Sequence, residues 1–330
     1  LPRLREIVLT ESIAGKKVGL RENLLSLRTL LGFAVAAAVA YIFLRNFDLQ
    51  AAVSSITRAK WVFFALAIAA FYFSLPLRGA RWGLLLRPTG QMVGSVPLTH
   101  YYFLSWFANT ILPARIGDIY RAYLLKKNRE VSISLSLGVI FSERVFDLAV
   151  TAALVLLSGT YFWALLKNAN EEHYLLWGLI GTGMIVILFI VIMNIMPFVV
   201  RIAPDRWKGP LGSFHSGIFR SPSLLPAVVV MTIAIWLSEA LRLYFVFLAL
   251  GINAGFLVAV FISQASLILM SIPLSPSGLG LVELLMLKLL SSTGLAPSLA
   301  GAITLTDRLI SYWSLLAMGA IAYFLSPRIR

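Results

Sequence analysis

The chain has 330 residues, of which 59% are hydrophobic and 13% charged, with 28 Lys and Arg against 14 Asp and Glu and no cysteine. Together with a mean hydropathy of +0.88, this composition describes a polytopic membrane protein and excludes a soluble domain with a large core. Disulfides, thiolate chemistry and cysteine-held metals are excluded as well.

The segment 1–28 carries Arg3, Arg5, Lys16, Lys17, Arg21 and Arg28 against Glu6, Glu11 and Glu22, and reads as a basic cytoplasmic segment without a signal peptide. The chain opens on Leu1, as expected of a trimmed or excised piece. The remainder, 29–330, reads as one transmembrane domain. A first span is expected at about 29–45, and a second from Trp61 to Leu86, with Arg78, Arg81 and Arg87 at a cytoplasmic exit. The segment from Leu98 to Leu112 is too short to cross, and Pro113 and Gly117 break it before a basic run of Arg121, Lys126, Lys127 and Arg129. A re-entrant hairpin fits this pattern.

Further spans are expected at about 132–157, 174–197 and 224–250. In the last of these, Glu239 and Arg242 lie one helical turn apart and are expected to pair. A second short apolar segment then meets a break containing Pro276, Ser277, Gly278 and Gly280, followed by Glu283 and a final span at 297–325. The fold expected is therefore all-α, with about six transmembrane helices and two re-entrant helical hairpins.

Charges inside the apolar runs are the informative residues. Glu143, Arg144 and Asp147 sit in one span, Asp307 and Arg308 in another. An ionisable group there costs several kcal/mol unless it meets protein, water or a partner, so it marks either a site or an ion pair locking two helices. The same interval separates Pro113 from Pro276 and Gly117 from Gly280, and one residue more separates Glu143 and Arg144 from Asp307 and Arg308. Repeats at 61–157 and 224–325, joined by a connector at 158–223, would begin with helices running in opposite directions. That is the inverted repeat of many secondary transporters, whose broken helices point their ends at a substrate.

The strings NTILPARIGDIYRAYLL, SERVFDL, PLSPSGLGLVE and TLTDRLISYW resemble the flippase-like membrane region of the lysylphosphatidylglycerol synthase transmembrane family over roughly residues 30–325. In the multiple peptide resistance factors of that family, such a region translocates aminoacylated phosphatidylglycerol and a separate soluble domain attaches the amino acid. No hydrophilic stretch here is long enough for that transferase, so synthase activity does not carry over. The residues matching the family strings are Asn109, Pro113, Arg115, Gly117, Asp118, Arg121, Glu143, Arg144 and Asp147, then Pro276, Ser277, Gly278, Gly280, Glu283, Asp307 and Arg308.

These residue types suit a lipid headgroup. Arg115, Arg121, Arg144 and Arg308 offer the paired N–H donors that phosphate oxygens accept, and the starts of the short helices after each break offer backbone N–H groups. Glu143, Asp147, Glu283 and Asp307 either neutralise the empty site, or take up a proton or a cationic aminoacyl group. Arg144, Arg308, Glu143 and Asp307 are expected to converge on one polar chamber.

The function expected is a lipid translocase of the cytoplasmic membrane, moving a phosphate-containing or aminoacylated headgroup. The partners are membrane lipids and a possible lipid-modifying enzyme; no nucleic acid is implied, because the basic residues belong to short loops. The rivals are a membrane-embedded lipid-modifying enzyme and an accessory scaffold for a lipid or glycolipid synthase. No cofactor, metal or catalytic motif is indicated, since His100, His173 and His215 match no ligand spacing and no Walker-type, GxSxG or HExxH pattern occurs.

Both termini are expected in the cytoplasm. In this cysteine-free chain, Lys127→Cys and Lys208→Cys should therefore be labelled from the same side of the membrane, and labelling from opposite sides would break both the topology and the inverted repeat.

Overall fold

The computed structural model describes residues 56–112, 115–165, 224–271 and 275–326, with Ser54 and single positions between 176 and 212. The spans expected at 29–45 and 174–197, the basic 1–28 segment, Pro113, His173, His215 and the C-terminal arginines lie outside the described residues, apart from isolated positions in the 174–197 stretch.

Every regular element among the described residues is helical. The chain gives α1 (Trp61–Leu86), α2 (Ser95–Ile111), α3 (Ile116–Arg129), α4 (Ile133–Leu165), α5 (Leu225–Ala249), α6 (Phe256–Ser271), α7 (Leu281–Ser292), α8 (Pro297–Arg308) and α9 (Leu315–Leu325). A π-helical stretch, Leu309–Ser314, joins α8 to α9. Among the described residues, four helical runs are long and apolar enough to cross a membrane: Trp61–Thr89, Ile133–Phe162, Leu225–Ala249 and Pro297–Leu325. They carry exposed apolar side chains such as Phe73, Leu157, Val230, Ile321 and Phe324. Water would disfavour that surface, and acyl chains would not.

Between each pair of long runs lie two short helices. α2 has 17 residues and α3 has 14, so at 1.5 Å per residue neither covers the roughly 30 Å of a hydrocarbon core. α6 with 16 residues and α7 with 12 repeat the arrangement. The order is long, short, short, long in each half.

The backbone at the two breaks is unusual in the same way. Arg115, the residue before α3, has φ 54°, and Ser277, before α7, has φ 47°. A side chain in this left-handed region costs roughly 1–2 kcal/mol, and it persists where the surroundings fix it. Gly280 follows with φ 87° and ψ −55°, open to glycine alone. The Gly280 N–H is held by Glu283 Oε2 at 2.7 Å, as the Gly117 N–H is held by Asn109 Oδ1 at 2.7 Å. Each break thus satisfies a helix-start donor with a side chain.

The first long helices of the two halves, α1 and α5, run antiparallel. The Lys60 N–H donates to the Ala249 carbonyl at 2.8 Å, Ser74 Oγ reaches Glu239 at 3.3 Å and Arg81 reaches Thr232 at 2.8 Å. Positions rise along α1 as they fall along α5. This is the geometry that an inverted repeat requires.

Gly117 packs where no side chain fits. A methyl group there would run into the Ser105 carbonyl and lie 2.6 Å from Asn109 Oδ1. Gly117→Ala should therefore cost about 1–3 kcal/mol through overpacking, read as a lower unfolding temperature in detergent. An unchanged midpoint would show that α2 and α3 are not held this closely.

Candidate functional site

The site follows from how buried charges find partners. In α1, Arg78 and Arg81 are 1% and 0% exposed, so they do not stand at a solvated helix exit as the sequence suggests. They are buried because carboxylates from other helices meet them: Arg78 pairs with Glu239 at 3.2 Å, and Arg81 pairs with Asp147 at 2.6 Å and Glu143 at 3.8 Å. Arg121 is likewise fully buried and leaves the basic run of α3, pairing with Glu143 at 2.7 Å and Asp118 at 3.4 Å.

The neighbours Glu143 and Arg144 do not pair with each other, and neither do Asp307 and Arg308. Adjacent helical residues point about 100° apart and cannot face one another. Arg144 instead binds Asp118, in the first turn of α3, at 2.9 Å, and Asp147 at 3.4 Å. Arg308 binds Glu283, in the first turn of α7, at 2.6 Å. In both halves the arginine of the long helix thus holds an acid at the start of the short helix after the break. Asp307 pairs with Arg242, which also meets Glu239 at 3.4 Å. The expected Glu239–Arg242 pair is present, and Glu239 additionally ties it to Arg78.

The breaks themselves touch. Ser277 Oγ donates to the Asn109 carbonyl at 3.2 Å, Arg308 donates to the Ser277 carbonyl at 3.3 Å, and the Tyr312 hydroxyl donates to the Thr110 carbonyl at 3.4 Å. Tyr312 lies in the π-helical stretch directly after Arg308. A π-turn rotates the residues that follow it, and such turns recur at functional sites.

Against the meeting point lies a cavity of about 130 Å³. Five arginines border it, Arg78, Arg115, Arg144, Arg242 and Arg308, with two carboxylates, Glu239 and Asp307. Asn109 and Ser277 reach it from the breaks, while Phe71, Leu243, Met270 and Leu315 supply apolar wall. Of the expected chamber, Arg144, Arg308 and Asp307 border the cavity and Glu143 does not; Glu143 is fully buried with Arg81 and Arg121. Asp118, Arg121, Asp147 and Glu283 also stand behind the wall, each holding an arginine or a carboxylate in place. Gly117, Gly278 and Gly280 shape the breaks.

Sequence reading missed Arg78, Arg242 and two tryptophans. The Arg78 guanidinium lies between the Trp106 and Trp236 rings, 4.6 and 4.5 Å from their centroids. Arg stacks this way because its planar cation is weakly hydrated. A signal was present: Arg78 and Arg242 are separated by the interval that separates Glu143 from Asp307, so the repeat applied to every arginine would have found both.

Among the described residues no cluster of His, Asp or Glu could hold a metal ion. A family model of the lysylphosphatidylglycerol synthase TM region matches residues 29–319. The chain belongs to this family. It is also 36% identical over 229 residues to a UPF0104 membrane protein of Methanocaldococcus jannaschii, covering 67% of this chain and 95% of that one. A second UPF0104 membrane protein, from Methanothermobacter thermautotrophicus, is 26% identical over 82% of this chain and 85% of its own length. Glycosyltransferase AglD of Haloferax volcanii is 27% identical over 67% of this chain, but only 42% of that protein is matched.

The fully buried cluster of Glu143, Arg81 and Arg121 should act as a lock. Glu143→Gln leaves two buried guanidinium groups without their shared partner, and removing one member of such a cluster costs about 3–5 kcal/mol. Chemical unfolding should show that loss, with part of it recovered in the double variant Glu143→Gln, Arg121→Met. A loss below about 1 kcal/mol would remove the locking role.

Proposed function

We propose that this family member is a lipid translocase of the cytoplasmic membrane, carrying a phosphate-containing headgroup between leaflets through the cavity where the two broken helix pairs meet. The observation that carries this reading is the cavity wall, with five arginines and two carboxylates between two similar breaks. Guanidinium groups in a low-dielectric site bind phosphate oxygens through paired charge-assisted hydrogen bonds. The antiparallel α1 and α5 support opposed halves, and with them two re-entrant hairpins that enter from opposite faces in a six-span protein with both termini in the cytoplasm. The family name supports a lipid as substrate.

The relative named as a glycosyltransferase favours a second reading, a lipid-modifying enzyme or the accessory partner of one. The serines bordering the cavity do not favour catalysis: Ser263, Ser266 and Ser277 donate to backbone carbonyls, and Ser275 and Ser311 hydrogen-bond no base. A nucleophile needs an adjacent base.

Purified protein in vesicles separates these readings. An unchanged lipid that changes leaflet is the expected result, and a new chemical species would establish catalysis instead. Arg144→Ala and Arg308→Ala should reduce leaflet exchange at least tenfold while the protein still elutes as a folded species. Full exchange in both variants would remove these arginines from the site.

A further inference from the structure

The cavity is rich in hydrogen-bond donors and poor in free acceptors. Glu239 is shared between Arg78 at 3.2 Å and Arg242 at 3.4 Å, and Asp307 is held by Arg242. Behind the wall, Asp118 and Asp147 are taken by Arg144 and Arg81 at 2.9 and 2.6 Å. Glu143 is taken by Arg121 at 2.7 Å. Glu283 divides its oxygens between Arg308 at 2.6 Å and the Gly280 N–H at 2.7 Å. Every carboxylate of the network therefore already has a guanidinium partner.

At the cavity wall the open groups are of the other kind, and the buried Glu143 and Gln264 oxygens without a hydrogen bond lie away from it. Arg78 Nε, Arg144 Nε, Trp236 Nε1 and the Ser275 and Ser311 hydroxyls are buried without a hydrogen-bond partner, and all five side chains border the cavity. The first three can only donate, and the hydroxyls can do either. An ammonium group has one further way to bind, over an aromatic face. Phe71, Trp106, Trp236 and Tyr312 border the cavity, and arginines already lie over them: Arg78 between the two tryptophans at 4.6 and 4.5 Å, Arg242 over Phe71 and Arg308 over Tyr312 at 5.7 Å each. An incoming cation would meet five arginines against two carboxylates, both already paired with arginine, in a medium where like charges repel strongly.

We propose that the cavity takes an anionic phosphoester headgroup whose substituent is uncharged and hydroxyl-bearing, and discriminates against an aminoacylated, cationic one. This rests on the translocase reading and narrows it. The phosphate oxygens accept from the arginines, the indole N–H and the seryl hydroxyls, and a neutral hydroxylated substituent leaves no ammonium without an acceptor. The lysine-bearing lipid in the family's name is then not this chain's cargo.

The test compares tail-labelled lipids in phosphatidylcholine vesicles containing the full chain: phosphatidylglycerol, lysylphosphatidylglycerol and a polyprenyl phosphohexose, with leaflet exchange read by dithionite protection. At least one of the two uncharged-substituent lipids should exchange ten or more times faster than the lysyl lipid. A lysyl lipid that exchanges as fast or faster overturns the selectivity and leaves the translocase standing. If no lipid moves, or if only free glycerol phosphate leaves the vesicles, the translocase reading fails and the selectivity with it.

A second arm tests the charge basis directly. Ser311→Asp places an acceptor on the wall and should raise lysyl-lipid exchange at least fivefold relative to the anionic lipids. Ser275→Asp serves the same purpose should the first variant fail to elute as a folded species. An unchanged ratio in a folded variant overturns the inference.

Discussion

A charge removed from water must find another charge, and this protein is arranged around that requirement. Arg78, Arg81 and Arg121 are essentially unexposed, and the price of burying each would be several kcal/mol without a partner. The partners come from different helices: Glu239 on α5 for Arg78, Asp147 on α4 for Arg81, Glu143 on α4 for Arg121. Each pair fixes two elements relative to one another. The result is a set of helices whose relative placement is set by ion pairs as well as by apolar packing.

Backbone breaks add the second constraint. A helix interrupted in an apolar setting frees N–H and C=O groups that must be satisfied by protein or by water. Asn109 Oδ1 answers for the Gly117 N–H, and Glu283 Oε2 for the Gly280 N–H. Glu283 also holds Arg308 at 2.6 Å, so one side chain ties the start of α7 to the long helix beside it. The first half uses two groups for the same task, with Asn109 at the break and Asp118 on Arg144. The halves are similar in plan and different in residues.

The long apolar runs were legible in the sequence because about twenty apolar residues in a row leave few alternatives, and the helices at Trp61–Leu86 and Leu225–Ala249 agree with the expected bounds within a residue. The breaks were legible because Pro and Gly punctuate helices for local reasons. Partner choice was not, since it depends on helix rotation. Glu143 and Arg144 look like a pair in sequence yet point to different helices, and Arg78 and Arg81 look like residues of an exposed loop end. Position along the chain does not say which face of α1 meets α4 and α5. The repeat interval would have helped, because it links Arg78 to Arg242 without any knowledge of rotation.

Stability alone does not account for so many buried arginines. Replacing a buried ion pair with apolar residues of similar volume is often neutral or stabilising by about 1–4 kcal/mol, so a chain selected only for a firm fold has no need of them. The fully buried cluster of Arg81, Arg121 and Glu143 fits a purely structural role, since it has no access to the cavity. Arg78, Arg144, Arg242 and Arg308 do not fit it as well, because they border a cavity of about 130 Å³, and Arg144 and Arg308 lean on acids behind its wall. Arg144 and Arg78 each keep one buried N–H without a partner at the cavity wall, whereas the unpartnered N–H groups of Arg81 and Arg121 lie away from it. Such donors cost about 1–3 kcal/mol each when unsatisfied. A site that must accept phosphate oxygens has a use for them, because its donors have to be in place before the ligand arrives.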